Sequence, residues 1–365
     1  MGVKTLDRHL EQFLLDPSRY LITEVNKGHI NDTFHLEAQH PEGKDFILQR
    51  INHHVFEDVP AVMHNFELVG KHLETKKTDQ VTLKCFPTKD GLFYYRDEQG
   101  NYWRLINYIK HASSLDSISN TFQAFQVGKA YGYFNYALSD LPANKLKITI
   151  PDFHNVEKRI ELLNEVYQGL DSAKKRKREF SLLFEFVHKR AEELTLLDKL
   201  LKEGKLPQRI THNDTKYNNV LLDLEGKAIA VVDLDTVMPG LVHYDFGDAI
   251  RTLANTACED DPNIDKITFS IPFYKAFSQA FLKETAAILT TQEINTLGLA
   301  VKIFPFLMGI RFFTDYLQGN IYYKINHPLQ NLHRAKNQFA LLENIEKKYQ
   351  DITDILEEIL HNNSK

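Results

Sequence analysis

The sequence predicts an α+β protein in two parts: an N-terminal lobe of antiparallel β-sheet carrying one helix, residues 1–110, and a larger, mainly helical lobe, residues 111–365. Three observations carry this. The chain has 365 residues, more than one hydrophobic core usually serves, so it should divide. Before residue 110 apolar residues alternate in short runs between turn signals, whereas from Thr121 onward they recur at helical spacing. A single β-hairpin interrupts the helical part within residues 209–240 (RITHNDTKYNNVLLDLEGKAIAVVDLDTVMPG), and it gathers polar residues suited to chemistry.

From the N-terminus, residues 5–16 place Leu6, Leu10, Phe13 and Leu14 on one helical face. Strands are expected at 20–25 and 33–37, joined by the polar loop 26–32, then at 46–51. A helix at 59–73 precedes strands at 81–87, 92–96 and 102–109, with turns at Lys89-Asp90-Gly91 and Gln99-Gly100-Asn101. The lone Trp103 reads as core. Phe122, Phe125, Val127, Ala130, Tyr133, Phe134 and Leu138 mark a helix through Asp140, followed by another at 156–169. The basic run Lys174 to Arg178 leads into a helix reaching about residue 201; beside Glu179, Glu185, Glu192 and Glu193 it reads as a solvated face, not a nucleic-acid patch. After the hairpin, helices are expected at 245–257, 272–289, 291–317 and 333–360.

Hydrophobic residues make up 43% and charged residues 25%, ordinary values for a globular protein. A net charge of −5 argues against a general nucleic-acid surface. Two cysteines, Cys85 and Cys258, offer neither a disulfide framework nor metal-ligand spacing and suit a reducing compartment. The N-terminus lacks a secretory core, Leu6 stands where myristoylation needs a hydroxyl, and no uncharged apolar run suggests a membrane span. The expectation is a cytoplasmic monomer with a small-molecule partner.

The hairpin turns at Glu225-Gly226-Lys227, so Asp214 and Asn219 before its first strand should meet Asp233 after its second. This set suits phosphoryl transfer. Asp214 would accept the proton of an attacking hydroxyl, and Lys216 would reach the transferring phosphate as a point charge. Asn219 and Asp233 suit Mg2+, a hard cation that takes few protein oxygens and leaves the rest to phosphates and water. Asp235 is either a second metal or substrate contact or a structural hydrogen-bond partner. Asp245-Phe246-Gly247 copies the kinase magnesium motif but falls too far beyond the hairpin; Asp245 and Asp248 read as a helix cap or a brace for the catalytic loop.

The pattern His212-x-Asp214-x4-Asn219 followed by Asp233-x-Asp235 resembles the catalytic signature of the aminoglycoside phosphotransferase and choline kinase superfamily, which implies a protein-kinase-like fold. The strings KGHINDTF (27–34), FILQRIN (46–52), THNDTKYNN (211–219), DLDTVMPG (233–240), YDFGDAIR (244–251) and GIRFFTDYLQGNIYY (309–323) are similar to the bacterial N-acetylhexosamine 1-kinases over nearly the whole chain. The resemblance implies ATP- and Mg2+-dependent phosphorylation of the anomeric hydroxyl of an amino sugar. It assigns Gly28 and His29 to a phosphate-covering loop, Asn31 to phosphate or sugar, and the backbone of Asn107, Tyr108 and Ile109 to adenine. Gln49 occupies the strand position of the usual kinase lysine, with Arg50 on the opposite face, and Glu67 is its possible helix partner or a solvated glutamate. Thr215, Arg311 and Tyr322 join Asp214 on the sugar side, unless Arg311 pairs with Asp315 or Asp245. Other acceptors remain open: choline, ethanolamine, an aminoglycoside or homoserine, the cations among them received by Glu259-Asp260-Asp261. A kinase-like binding module without activity would be expected to lack a base or metal ligand, and all three are present.

Overall fold

The computed structural model describes residues 6–25, 30–78, 80–175 and 177–363. Helix α1 (Asp7–Gln12) is shorter than the periodicity suggests because Leu14 turns to a positive φ of 59°. Strands β1 (Tyr20–Glu24), β2 (Asp32–Ala38) and β3 (Phe46–Ile51) are followed by helix α2 (Val59–Glu74), capped by Asp58 accepting from the Ala61 N–H. Then come β4 (Cys85–Phe86), β5 (Tyr95–Arg96) and β6 (Tyr102–Asn107). All pair antiparallel in the order β1-β2-β3-β6-β4, with β5 also on β6.

Two expected strands, 81–87 and 92–96, shrink to two residues each. The Val81 N–H bonds out to the Ile229 carbonyl at 2.6 Å, drawing its segment away from the sheet. The Thr88 N–H closes a turn on the Leu92 carbonyl at 2.7 Å around Gly91, whose φ is +80°. One sheet face packs Phe34, Leu36, Phe46, Leu48, Trp103 and Leu105 against Leu6, Leu10 and Phe13. Trp103 is core, as its sequence context suggests.

The helical part opens with β7 (Ser113–Ser114), α3 (Thr121–Ala137) and α4 (Val156–Gly169). The single helix expected to run to residue 201 is three: α5 (Ser172–Lys175), α6 (Arg178–Leu194) and α7 (Leu196–Lys202). Between the last two, the Thr195 hydroxyl bonds back to the Ala191 carbonyl and competes with the helix ladder. Then follow β8 (Arg209–Thr211), β9 (Val220–Leu222), β10 (Ala228–Val231) and β11 (Met238–Gly240). The β9/β10 hairpin exists as expected, with Gly226 at φ +78° in its turn; β7 adds to its edge, and β8 pairs β11.

Helices α8 (Val242–Leu253), α9 (Ile271–Thr285), α10 (Thr291–Leu317), α11 (Gln330–Lys347) and α12 (Tyr349–Asn363) complete the chain. The expected helix 333–360 breaks at Lys348, whose ammonium reaches the Phe269 carbonyl at 2.7 Å. Helix α10 is long and apolar enough to cross a membrane, yet its apolar window is 89% buried inside the protein. The largest apolar cluster runs from Phe66, Val69 and Ile106 beside the sheet into α3, α8 and α9, so the two parts share a continuous core.

Candidate active site

The loop after β8 is built before it is functional. Asn213 takes a positive φ of 65°, which asparagine tolerates better than most residues. Buried Asp245 holds the turn from below: its oxygens accept from the His212 N–H at 2.9 Å, the Asn213 N–H at 2.8 Å and the Asn135 amide at 2.9 Å. Asp245 is thus the brace, one of the roles its position suggested. His212 ties the loop to the hairpin through the Val232 carbonyl at 2.9 Å, and the Thr236 hydroxyl accepts its place by donating to the His212 carbonyl at 2.7 Å.

These anchors present Asp214 to a cleft of about 530 Å³ between the sheet and the hairpin. Lys216 lies 3.0 Å from Asp214. Burial, the largest influence, works to raise the Asp214 carboxyl, but the charge and hydrogen bond of Lys216 together with His212 and Arg251 outweigh it and hold the group below its ordinary value, hence ionised. The Asn219 amide N–H groups go to the Asp214 carbonyl at 2.9 Å and its carboxylate at 3.2 Å, which leaves the amide oxygen for another partner. Asp233, beyond β10, adopts φ 62°, ψ 59°, a left-handed conformation that costs an aspartate energy and is tolerated where the fold enforces it. Burial and the nearby Asp235 and Asp214 carboxylates push its carboxyl up, so a cation would be welcome there.

Among the described residues no three His, Cys, Asp or Glu side chains form a metal cage. An amide oxygen and one carboxylate, facing a cleft that lets in a polyphosphate, fit Mg2+ carried on a nucleotide.

The sheet side of the cleft holds Gln49 as the strand alternation suggested, but not Glu67. Glu67 does not enter it; its carboxylate pairs with Lys71, one turn on along α2. Gln49 does line it, while Arg50 faces away and pairs with Asp32 at 2.6 Å. Asp235 is buried and both oxygens are taken: Arg104 donates to one at 2.5 Å and the Asn31 amide to the other at 2.7 Å. Its structural alternative is therefore the one the contacts describe, and the Asn31 side chain is likewise engaged internally, its oxygen accepting from the Asn52 N–H at 3.0 Å.

At the far end of the cleft the Asn107 and Tyr108 N–H groups bond to the Lys84 and Asp45 carbonyls, and the Asn107 side chain oxygen takes the Lys84 N–H. Among the described residues the Ile109 N–H has no such partner, so it is the donor available at this segment. Val25, Ile47, Ile106 and Leu221 give the slot apolar walls. Gly28 and His29 lie outside the described residues.

A second pocket, of about 490 Å³, is lined by Thr149, Arg159, Arg311, Tyr322 and Tyr323, with Glu57 exposed at its rim. Arg311 has no carboxylate partner among the described residues; it lies over the rings of Phe153 at 4.8 Å, Tyr323 at 5.6 Å and Tyr322 at 5.8 Å. The two internal partners considered for it are occupied. Asp315 accepts from the Ile321, Tyr322 and Tyr323 N–H groups and from Asn331, and Asp245 holds the turn after β8. Among the described residues Arg159, beside it, donates to the Asp152 and Phe153 carbonyls alone, and its Nε and the Tyr323 hydroxyl are buried with no partner there. Thr215 is not part of this pocket; it is fully buried and its hydroxyl donates to the Asp245 carbonyl at 2.8 Å.

Residues 21–287, most of the chain, match the model of the phosphotransferase enzyme family. The chain belongs to that family. Similar solved structures include a microcompartment-associated aminopropanol kinase (16% identity, TM-score 0.65, covering 95% of this chain and 98% of that one). An amicoumacin kinase in complex with AMP-PNP and Ca2+ matches with 15% identity and TM-score 0.61 over 96% and 94% of the two chains. An ethanolamine kinase from Plasmodium vivax matches with 15% identity and TM-score 0.58 over 92% and 87%. At such identities these structures support the fold.

Of the phosphotransferase's expected site residues, Asn31, Gln49, Asn107, Tyr108, Ile109, Asp214, Lys216, Asn219 and Asp233 line one cleft, and Arg311 and Tyr322 line the neighbouring pocket. Sequence reading missed Arg104 and Arg159. For Arg104 a signal exists: an arginine in the middle of an apolar strand needs a partner, and the antiparallel register sets it opposite Gln49. For Arg159, on an amphipathic helix face, there is none.

Proposed function

We propose that this phosphotransferase uses ATP to phosphorylate the anomeric hydroxyl of an N-acetylhexosamine in the cytoplasm, giving the sugar 1-phosphate. Asp214 receives the hydrogen bond of the C1 hydroxyl and takes its proton as the oxygen attacks the γ-phosphorus; the bond to ADP breaks in line. An anomeric hydroxyl is more acidic than an ordinary alcohol, so a carboxylate held ionised by Lys216 suffices. Lys216 offsets charge on the transferred group. Asn219 and Asp233 would hold Mg2+, which when bound neutralises phosphate charge.

The observation that supports this acceptor over others is the pair of arginines, Arg159 and Arg311, without carboxylate partners in an aromatic-walled pocket. Such a pocket repels choline, ethanolamine or an aminoglycoside and suits a neutral ring with hydroxyl and acetamido oxygens to accept. The acidic run that would have received a cation is engaged elsewhere: Glu259 by Arg251 at 2.5 Å, Asp260 by Gln330 at 2.8 Å and Asp261 by Lys266 at 3.3 Å.

The test is ADP release with ATP and Mg2+ over a panel of N-acetylglucosamine, N-acetylgalactosamine, choline, ethanolamine, aminopropanol and an aminoglycoside. Turnover confined to the neutral sugars is the expected result. Preference for any cationic acceptor would overturn the assignment.

A further inference from the structure

The strand position at which kinases carry a phosphate-binding lysine holds a neutral Gln49, and the cation of this region comes instead from the neighbouring strand. We infer that Arg104 is a positioning residue for the nucleotide phosphates: it fixes the Gln49 amide so that its N–H group faces them, while Asp235 fixes Arg104.

The geometry dictates the orientation. Guanidinium groups only donate, and Arg104 approaches one Gln49 oxygen with both Nε, at 2.9 Å, and Nη2, at 2.7 Å. The Gln49 nitrogen must therefore turn away. One of its hydrogens goes to the Thr33 hydroxyl at 3.1 Å, and the other is left for the cleft that Gln49 lines. Arg104 cannot swing to the phosphates in place of a lysine. It is 1% exposed, its Nη1 is held by Asp235 at 2.5 Å, and its Cζ lies 5.0 Å from the centre of the Phe66 ring.

Asp235 neutralises the guanidinium, so the subsite offers the phosphates an oriented amide donor in place of a mobile charge. Because Asp235 follows Asp233 by two residues, the chain that presents the metal carboxylate also anchors the sheet-side donor. The Asn31 amide, donating to the second Asp235 oxygen, adds the β2 end of the sheet to the same anchor.

This inference rests on reading the cleft as the nucleotide site, and the experiment separates the two. Calorimetry compares Mg2+-AMP-PNP, which carries phosphates, with adenosine, which does not. Gln49→Glu keeps an acceptor for Arg104 and removes the donor; Gln49→Leu removes both. Each should weaken AMP-PNP by about tenfold or more, the worth of a hydrogen bond to a charged group, with adenosine binding unchanged. Arg104→Lys keeps the charge opposite Asp235 and removes the fork; it should weaken AMP-PNP similarly, and combining it with Gln49→Leu should add no further loss. An unchanged ratio of AMP-PNP to adenosine affinity in Gln49→Glu overturns the proposal, as do additive losses in the double variant. If Arg104→Lys does not fold, Gln49→Glu alone decides. If the unaltered protein binds neither ligand, the nucleotide reading itself fails and takes this one with it.

Discussion

In the proposed reaction Asp214 is the residue on which the chemistry turns. The Asn219 amide fixes one oxygen and the Lys216 ammonium pairs with the other, which keeps the group ionised; a carboxylate oxygen has lone pairs enough to accept a hydroxyl as well. Asp214→Asn keeps the shape and removes the proton acceptor. Turnover should fall by about 10² to 10⁴, the usual worth of general base catalysis, while AMP-PNP affinity stays within about twofold. Kinetics beside calorimetry check it, and unchanged turnover would remove Asp214 from its role. At this scale the sequence was partly legible. That Asp214, Asn219 and Asp233 meet at one cleft follows from spacing along one hairpin. For Glu67 the contacts follow the solvated alternative: Lys71 stands four residues on, at the distance where helical neighbours pair. Arg104 and Asp235 are 131 residues apart, and no local rule joins them.

Elements meet most tightly where glycine removes a side chain. Gly128 and Gly132 of α3 lie against the backbone of α9 at Phe277 and Phe281. In an open helix Gly→Ala would gain up to about 1 kcal/mol in propensity. At Gly128 the new methyl would press on the Phe277 carbonyl, which cannot step aside as a flexible side chain would. Gly128→Ala should therefore destabilise by about 1–3 kcal/mol, the cost of overpacking, as urea unfolding would measure. A stabilised variant would mean that the helices are free to part. Helix and strand types were legible from periodicity, and element ends were less so. The breaks at Thr195 and Lys348 arise from a hydroxyl bonding back to a carbonyl and from a lysine reaching a carbonyl on a distant segment. Neither interrupts the apolar pattern that sequence reading follows.

For the molecule as a whole, buried histidines and buried carboxyls set the response to acid in opposite senses. Burial lowers His243 to about 4 and His154 to about 3, so both are neutral in the folded protein where the unfolded chain would charge them. The unfolded state then binds more protons as pH falls below the ordinary histidine value, and stability is lost from there down through pH 4. Asp198 opposes this: burial raises it to about 6, so its folded form takes a proton early. Asp233, pushed up to about 7, opposes it as well, so two carboxyls stand against two histidines and the net change between about pH 7.5 and about pH 5 should be small. His243→Gln should tip the balance, leaving the variant more stable at pH 5 relative to pH 7.5 than the unaltered protein by on the order of 2 kcal/mol in urea unfolding; a pH dependence unaltered by the change would exclude His243 as a cause. The division into sheet and helical parts was legible from the change of periodicity near residue 110, but the shared core was not, because it is assembled from Phe66, Ile106 and helices far along the chain.

The central claim, that the three hairpin groups and the two-arginine pocket together phosphorylate a sugar at C1, is tested most directly by phosphorus and proton NMR of the product formed from ATP, Mg2+ and N-acetylglucosamine or N-acetylgalactosamine. The account predicts a phosphate coupled to the anomeric proton and loss of the reducing end. A phosphate on C6 with the reducing end intact, or no phosphorylated sugar while a cationic acceptor is turned over, would contradict it.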